Sequence, residues 1–180
     1  MIFEDKNKEQ KGREYAFLML GYEMPKIIKE IQNRIPNEIV YTDSERPHMY
    51  GKEMEPHVTI VPCLSNSTKL DDIKGYLRPI SDYMAYIKGI SLFNNELYDV
   101  LKCDIVCKPL HDTNKSILKD FESYSEFKDN YQPHLTIAYL NKGQGTEYVK
   151  DFDKLIQIEP TVFSYSWIED GKEKKTTFEK

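Results

Sequence analysis

Glu55–Leu64 reads EPHVTIVPCL, and Gln132–Leu140 reads QPHLTIAYL. Pro, His, Thr and Ile recur in one register, with only an aliphatic exchange between His and Thr. Given the first copy, a chance second match at those four residues has odds on the order of one in a thousand. Two strands of one design are therefore expected. Side chains alternate along a strand, which puts His57 and Thr59 on one face and Val58 and Ile60 on the other. His134 and Thr136 stand in the same way against Leu135 and Ile137. Pro56 and Pro133 suit strand starts, because the residue before a proline is held extended.

The surroundings of the two motifs also resemble each other. EYAFLMLGY (14–22) is short, apolar and closed by Gly21, a buried strand. Pro25 opens a helix with Ile27, Ile28, Ile31 and Ile35 at helical spacing, and Pro36 ends it. NEIVYTD (37–43) reads as a short strand, and the polar loop after it leads into the first motif strand, about 57–62. SNSTKLDDIKGYLRP (65–79) offers Ser/Thr caps and a helix bearing Leu70, Ile73 and Leu77. DYMAYIKGISLFN (82–94) reads as one or two strands broken near Gly89, and YDVLKCDIVCKP (98–109) as another ended by Pro109. LHDTNKSILKDFESY (110–124) is a helix, followed by the second motif strand. GQGTEYVKDFDKLI (143–156) reads as the last helix, and 161–180 as a hairpin turning at Asp170-Gly171. Each motif strand thus follows a strand–helix element. The layout implies an internally duplicated α+β fold: two pseudo-symmetric lobes, antiparallel sheets facing a central cleft, helices outside, in one bilobal domain over 1–180.

Composition narrows the partners. The 180 residues suffice for a real core. A net charge of −5 does not suit a general grip on long nucleic acid, which needs many phosphate contacts. A small phosphate-bearing ligand remains compatible with it. Cys63, Cys103 and Cys107 make an odd number without a disulfide framework, which points to a reducing compartment. The opening MIFEDKNKEQKGRE lacks a signal-like apolar stretch, and no run reaches the roughly 18–20 apolar residues of a membrane helix. The expectation is a cytoplasmic protein, with no membrane partner.

If the motif strands meet, two imidazoles and two hydroxyls converge. That set can cleave a phosphodiester: one neutral His takes a proton from the attacking oxygen, and the other, protonated, gives one to the leaving oxygen. Histidine suits both tasks because its unperturbed pKa lies near 6.5. Thr59 and Thr136 can hydrogen-bond the non-bridging oxygens. A lone strand histidine is more often structural, but two in matching contexts reverse that preference. Metal chemistry is disfavoured, since neither motif has nearby Cys or Asp clusters, and no His-x3-His or Cys-x2-Cys spacing occurs. No cofactor is expected.

Two His-x-Thr strands in duplicated lobes resemble the 2H phosphoesterase superfamily, and His57-Val58-Thr59-Ile60 and His134-Leu135-Thr136-Ile137 both fit its signature. The resemblance implies a metal-independent site in a central cleft, with His57, His134, Thr59 and Thr136 catalytic, acting on RNA-like phosphodiesters or cyclic phosphates. The size, YQPHLTIAYLNKG and the acidic, Lys/Tyr-rich composition with only four Arg are more similar to its bacteriophage anti-CBASS branch than to its RNA-end enzymes. The branch implies cleavage of cyclic di- and trinucleotides, such as 3',3'-cGAMP, as a viral counter to host immunity, in the host cytoplasm if the source is viral. The alternatives are an RNA or mononucleotide 2',3'-cyclic phosphodiesterase and a non-catalytic nucleotide-sequestering protein. Bases stack on aromatics, so Trp167, Tyr165 and Tyr15 are candidate substrate contacts, although Trp167 and Tyr165 fit a core stripe equally well. Lys142 is a candidate phosphate contact, and Glu55 and Gln132 candidate rim residues. Tyr139, at odd spacing from Thr136, is expected in the core, His48 in a loop and His111 at a helix cap.

Overall fold

A computed structural model describes residues 15–46, 49–65, 67–126, 129–169 and 172–180. The expected lead-in over 1–13, the loop reading of His48 and the turn at Asp170-Gly171 lie outside them. The strands are β1 (Tyr15–Tyr22), β2 (His57–Ser65), β3 (Ala85–Asn94), β4 (Tyr98–Val106), β5 (His134–Asn141), β6 (Lys150–Ile158), β7 (Pro160–Glu169) and β8 (Lys172–Phe178). The helices are α1 (Lys26–Arg34), α2 (Leu70–Ile73) and α3 (Lys108–Asp120). All the strands pair antiparallel in the order β6-β3-β4-β5-β2-β1-β7-β8.

The duplication runs through the middle of this sheet. β1–α1–β2 and β4–α3–β5 are matching units, and their motif strands meet at the centre through one residue pair, Val58 with Leu135. Ala16, Leu18 and Leu20 of β1 and Leu101, Cys103 and Ile105 of β4 fill the helix side, where α1 buries Ile28 and Gln32, and α3 buries Leu110, Thr113, Asn114 and Ile117. All three cysteines are free thiols in this core. Burial pushes Cys63 and Cys103 up to about 12, so they pack as small apolar groups.

Each motif strand carries the same irregularity. In the β1–β2 ladder Leu18 pairs with Val61 and Met19 with Thr59, leaving Ile60 as the extra residue of a bulge. In the β4–β5 ladder Leu101 pairs with Ala138 and Lys102 with Thr136, leaving Ile137 extra. A bulge residue loses ladder bonds. The Asn114 side-chain amide of α3 donates to the Ile60 carbonyl at 2.7 Å, and the Gln32 amide of α1 donates to the Ile137 carbonyl at 2.8 Å. Each helix therefore serves the other unit's motif strand, which locks the halves together.

Several local expectations change. The segment 143–156 forms a short 3-10 turn (Thr146–Tyr148) and then strand β6, not a helix. Val149, Phe152, Leu155 and Ile156 fit helical spacing, but the chain pairs with the edge of β3, leaving Val149 and Leu155 exposed. NEIVYTD forms a 3-10 turn and a single bridge, Val40 to Leu140, instead of a strand. The helix read over 65–79 shrinks to the four residues of α2 and a 3-10 turn, as Gly75 and Pro79 disfavour its continuation. β3 is one strand whose register shifts between Ile87 and Gly89. There a Cβ on Gly89 would stand 2.8 Å from the Lys150 carbonyl oxygen, so β6 packs closer than a side chain allows.

The crossed amides yield a stability prediction. Asn114→Leu takes the side-chain donor from the Ile60 carbonyl, and Gln32→Met takes its donor from the Glu53 carbonyl and one of two from the Ile137 carbonyl, which keeps the Glu53 N–H. Each lowers the unfolding free energy by about 1–3 kcal/mol, read by urea titration. Unchanged midpoints for both variants would contradict their role.

Candidate active site

The face opposite the helices carries the motif polar groups. With Val58 set against Leu135, the register places His57 across from Thr136 and Thr59 across from His134. His57 and His134 therefore share one face, on either side of the Val58–Leu135 pair. All four side chains remain partly exposed, unlike the fully buried Val58, Ile60, Leu135 and Ile137 between and beside them.

Both rings are held in the same way. His57 Nδ1 lies 2.8 Å from the Glu55 carbonyl oxygen, and His134 Nδ1 lies 2.8 Å from that of Gln132. A carbonyl only accepts, so each Nδ1 carries the proton and donates it. In the neutral rings Nε2 is then the lone-pair nitrogen. Glu55 and Gln132, expected at the rim, contribute their backbone.

The two sites differ in charge. His57 has the Glu53 carboxylate 4.0 Å from its Nδ1. His134 sits in the β4 ladder beside Lys102 and Asp104, with the Phe93 ring edge-on at 4.9 Å. Burial pushes the half-buried His134 down to about 4, the Lys102 ammonium and His57 acting in the same direction, while the bond to Gln132 opposes them. A positive charge on His57 would meet the Glu53 carboxylate; one on His134 would meet the Lys102–Asp104 ion pair.

A groove of about 1090 Å³ opens beside His57 over β1, β7 and β8. Met19, Val162, Ser164 and Thr177 are among its lining residues on these strands, and residues 49–57 line it as well. Lys175 of β8 binds the Glu55 carboxylate, which pins this segment and holds the Glu55 carboxyl below the usual range. His57 lines the groove and His134 does not. Tyr139 also lines it, contrary to the core reading, because the bulge at Ile137 shifts the alternation beyond the motif. Its ring packs edge-on against Tyr50 at 5.2 Å.

The expected substrate contacts lie elsewhere. Tyr165 is 4% exposed in the helix-side core and donates to the Thr68 carbonyl. Trp167 stacks on Tyr165 and packs against the same core. Lys142 pairs with buried Asp99 at 3.0 Å. Tyr15 is on the motif face but pairs with Ser65 at the far end of β2, its ring against Tyr124. His111 lies within α3, its ring edge-on to Tyr131 at 5.3 Å, not at a cap. Lys102, Asp104, Ser91 and Phe93 carry no local sequence signal: they lie in apolar-looking strands and reach the site only through long-range pairing. Among the described residues no three His, Cys, Asp or Glu side chains are placed to hold a metal ion, and no helix is long and apolar enough to cross a membrane.

Residues 25–162 match the family model of the 2'-5' RNA ligase superfamily. The chain belongs to this superfamily of 2H phosphoesterases, and membership implies phosphodiesterase chemistry. Two solved structures of E. coli LigT, one complexed with 3'-AMP and one in apo form, are 12% and 13% identical to it. Each match covers 93% of this chain, with 95% and 96% of the LigT chains, at a TM-score of 0.48. No curated protein matches this chain in sequence.

The burial of His134, with the Lys102 ammonium acting in the same direction, predicts an NMR outcome. The His134 ring carbons titrate near 4, so the ring is neutral at pH 7. A midpoint at or above the ordinary histidine value, about 6.5, would contradict the assignment.

Proposed function

We propose that the protein is a metal-independent phosphodiesterase in which His134 is the general base and His57 the general acid. The observation that carries this reading is the matched tethering of both rings through Nδ1, on one face, either side of the Val58–Leu135 pair. A binding protein has no use for two proton-transfer nitrogens freed in the same way.

The substrate is a ribose 3',5'-phosphodiester of a cyclic di- or trinucleotide. His134 Nε2 takes the 2'-OH proton while the 2' oxygen attacks phosphorus. The P–O5' bond breaks, and His57 Nε2 donates its proton to the departing O5'. Thr59 and Thr136 hydrogen-bond the non-bridging oxygens as charge builds on them. The rings now hold exchanged protonation states. His57 takes a proton from water as it attacks the 2',3'-cyclic phosphate, and His134 returns one to the leaving ribose oxygen. A groove of this volume adjoining His57 supports a small nucleotide ligand, and the net charge of −5 weighs against long RNA. In a bacteriophage, the activity would remove the cyclic messengers of host CBASS defence.

Incubation with cyclic di- and trinucleotides, a 2',3'-cyclic mononucleotide and RNA ends, all in EDTA, tests the reading by product mass. Linear products from the cyclic oligonucleotides are expected. Turnover of only the 2',3'-cyclic substrates would reassign the protein to RNA-end chemistry, and tight binding without products would make it a sequestering protein. His57→Ala and His134→Ala each cost about 10²–10⁴ in kcat/KM, and Thr59→Ala and Thr136→Ala cost less. A substrate with 2'-H in place of the attacking hydroxyl is inert, and its cleavage would rule out the 2'-OH route.

A further inference from the structure

The pseudo-symmetry pairs unlike residues beside the two histidines. On the His57 side, Met19 pairs with Thr59 and Gly21 with His57. The matching positions on the His134 side are Lys102, which pairs with Thr136, and Asp104, which pairs with His134. Small and apolar residues thus leave the groove open at one histidine, whereas an ion pair fills the space at the other.

Lys102 is only 4% exposed, yet it carries an ammonium. Its Nζ donates to Asp104 Oδ1, and to Ser91 Oγ at 2.8 Å. Ser91 Oγ donates in turn to the same Asp104 oxygen at 2.8 Å, closing a three-membered polar ring. The ammonium also sits 4.3 Å from the centre of the Phe93 ring, whose own contact is His134. Among the described residues the charged or titratable groups around His134 are Lys102 and Asp104 from β4 and His57 from β2; β3 adds only the uncharged Phe93 and Ser91.

Asp104 is the feature that needs explanation. A carboxylate directly across the ladder from a catalytic imidazole is a natural partner for it. Such a pair would favour the imidazolium and occupy the nitrogen that the reaction needs. We infer that Lys102 is a positioning residue: its buried ammonium, with Ser91, holds the Asp104 carboxylate away from the His134 ring and so leaves His134 Nε2 unprotonated and open to substrate. The ammonium's own field acts on His134 in the same direction. The inference builds on the proposed phosphodiesterase reading, but its test does not require turnover.

The experiment is a titration of ring-carbon-labelled histidine in the full chain, with the His134 signal assigned by its loss in His134→Ala. Lys102→Met raises the His134 midpoint by about one pH unit or more, because it removes a cation and releases an anion. Adding Asp104→Asn to Lys102→Met returns the midpoint to within about half a unit of the wild type. Packing alone would not make the rise depend on a carboxylate two residues away. A folded Lys102→Met protein with an unmoved midpoint overturns the inference, as does a double variant that stays raised. Should Lys102→Met fail to fold, Asp104→Asn alone decides. A change under about half a unit supports a carboxylate already held off the ring, and a fall of about a unit or more shows that Asp104 was paired with His134. The acidic limb of kcat/KM then follows the same shifts on any substrate that is cleaved.

Discussion

Two bulged isoleucines set the site. A bulge in a central strand strands a backbone carbonyl away from water, and such a group must find a donor or cost about 1–3 kcal/mol. At Ile60 a donor is Asn114 and at Ile137 the donors are Gln32 and the Glu53 N–H, the two side chains each reaching in from the helix of the opposite unit. The exchange fixes the two motif strands relative to each other even though they share only the Val58–Leu135 pair. A longer β2–β5 ladder would fill the centre with backbone pairing. With the seam this short, the strands part on either side of one residue pair, and the two His-Thr sets are left flanking it.

The symmetric frame carries asymmetric chemistry. Tethering through Nδ1 is the same at both histidines, so orientation is shared and the surroundings are what differ. The carboxylate of Glu53 lies beside His57, and the ammonium of Lys102 acts on His134. The duplication thus sets two like-tethered imidazoles in unlike surroundings. Open space is divided along the same line. The groove belongs to the His57 half, while the corresponding volume by His134 is occupied by Lys102, Asp104, Ser91 and Phe93.

Much of this was legible in the sequence, since repetition and alternation are local properties. The motif strands, their common face, the strand–helix–strand units and the core thiols follow from spacing alone. The failures share a cause. For residues 143–156 the apolar spacing fits either period, and an unpaired edge on β3 decided for strand β6. Tyr139 changed sides because alternation counts whole residues and a bulge inserts one. Trp167 and Tyr165 are an aromatic stripe on one strand face, but only their pairing with Ala16 and Leu18 of β1 places that face under the helices. Lys102 lies in YDVLKCDIV, where nothing local distinguishes a buried ammonium from a solvated one. The bond from Lys142 to buried Asp99 spans 43 residues and is equally silent in sequence.

The central claim is that both imidazoles serve one phosphorus atom. The direct measurement is a crystal structure of the protein with a cyclic dinucleotide whose attacking 2'-hydroxyl is replaced by hydrogen. The account predicts one phosphate above the Val58–Leu135 pair, with Nε2 of His57 and of His134 each within hydrogen-bond distance of oxygens on that phosphorus. A ligand lying wholly in the groove, touching His57 and leaving His134 without a phosphate contact, would contradict it.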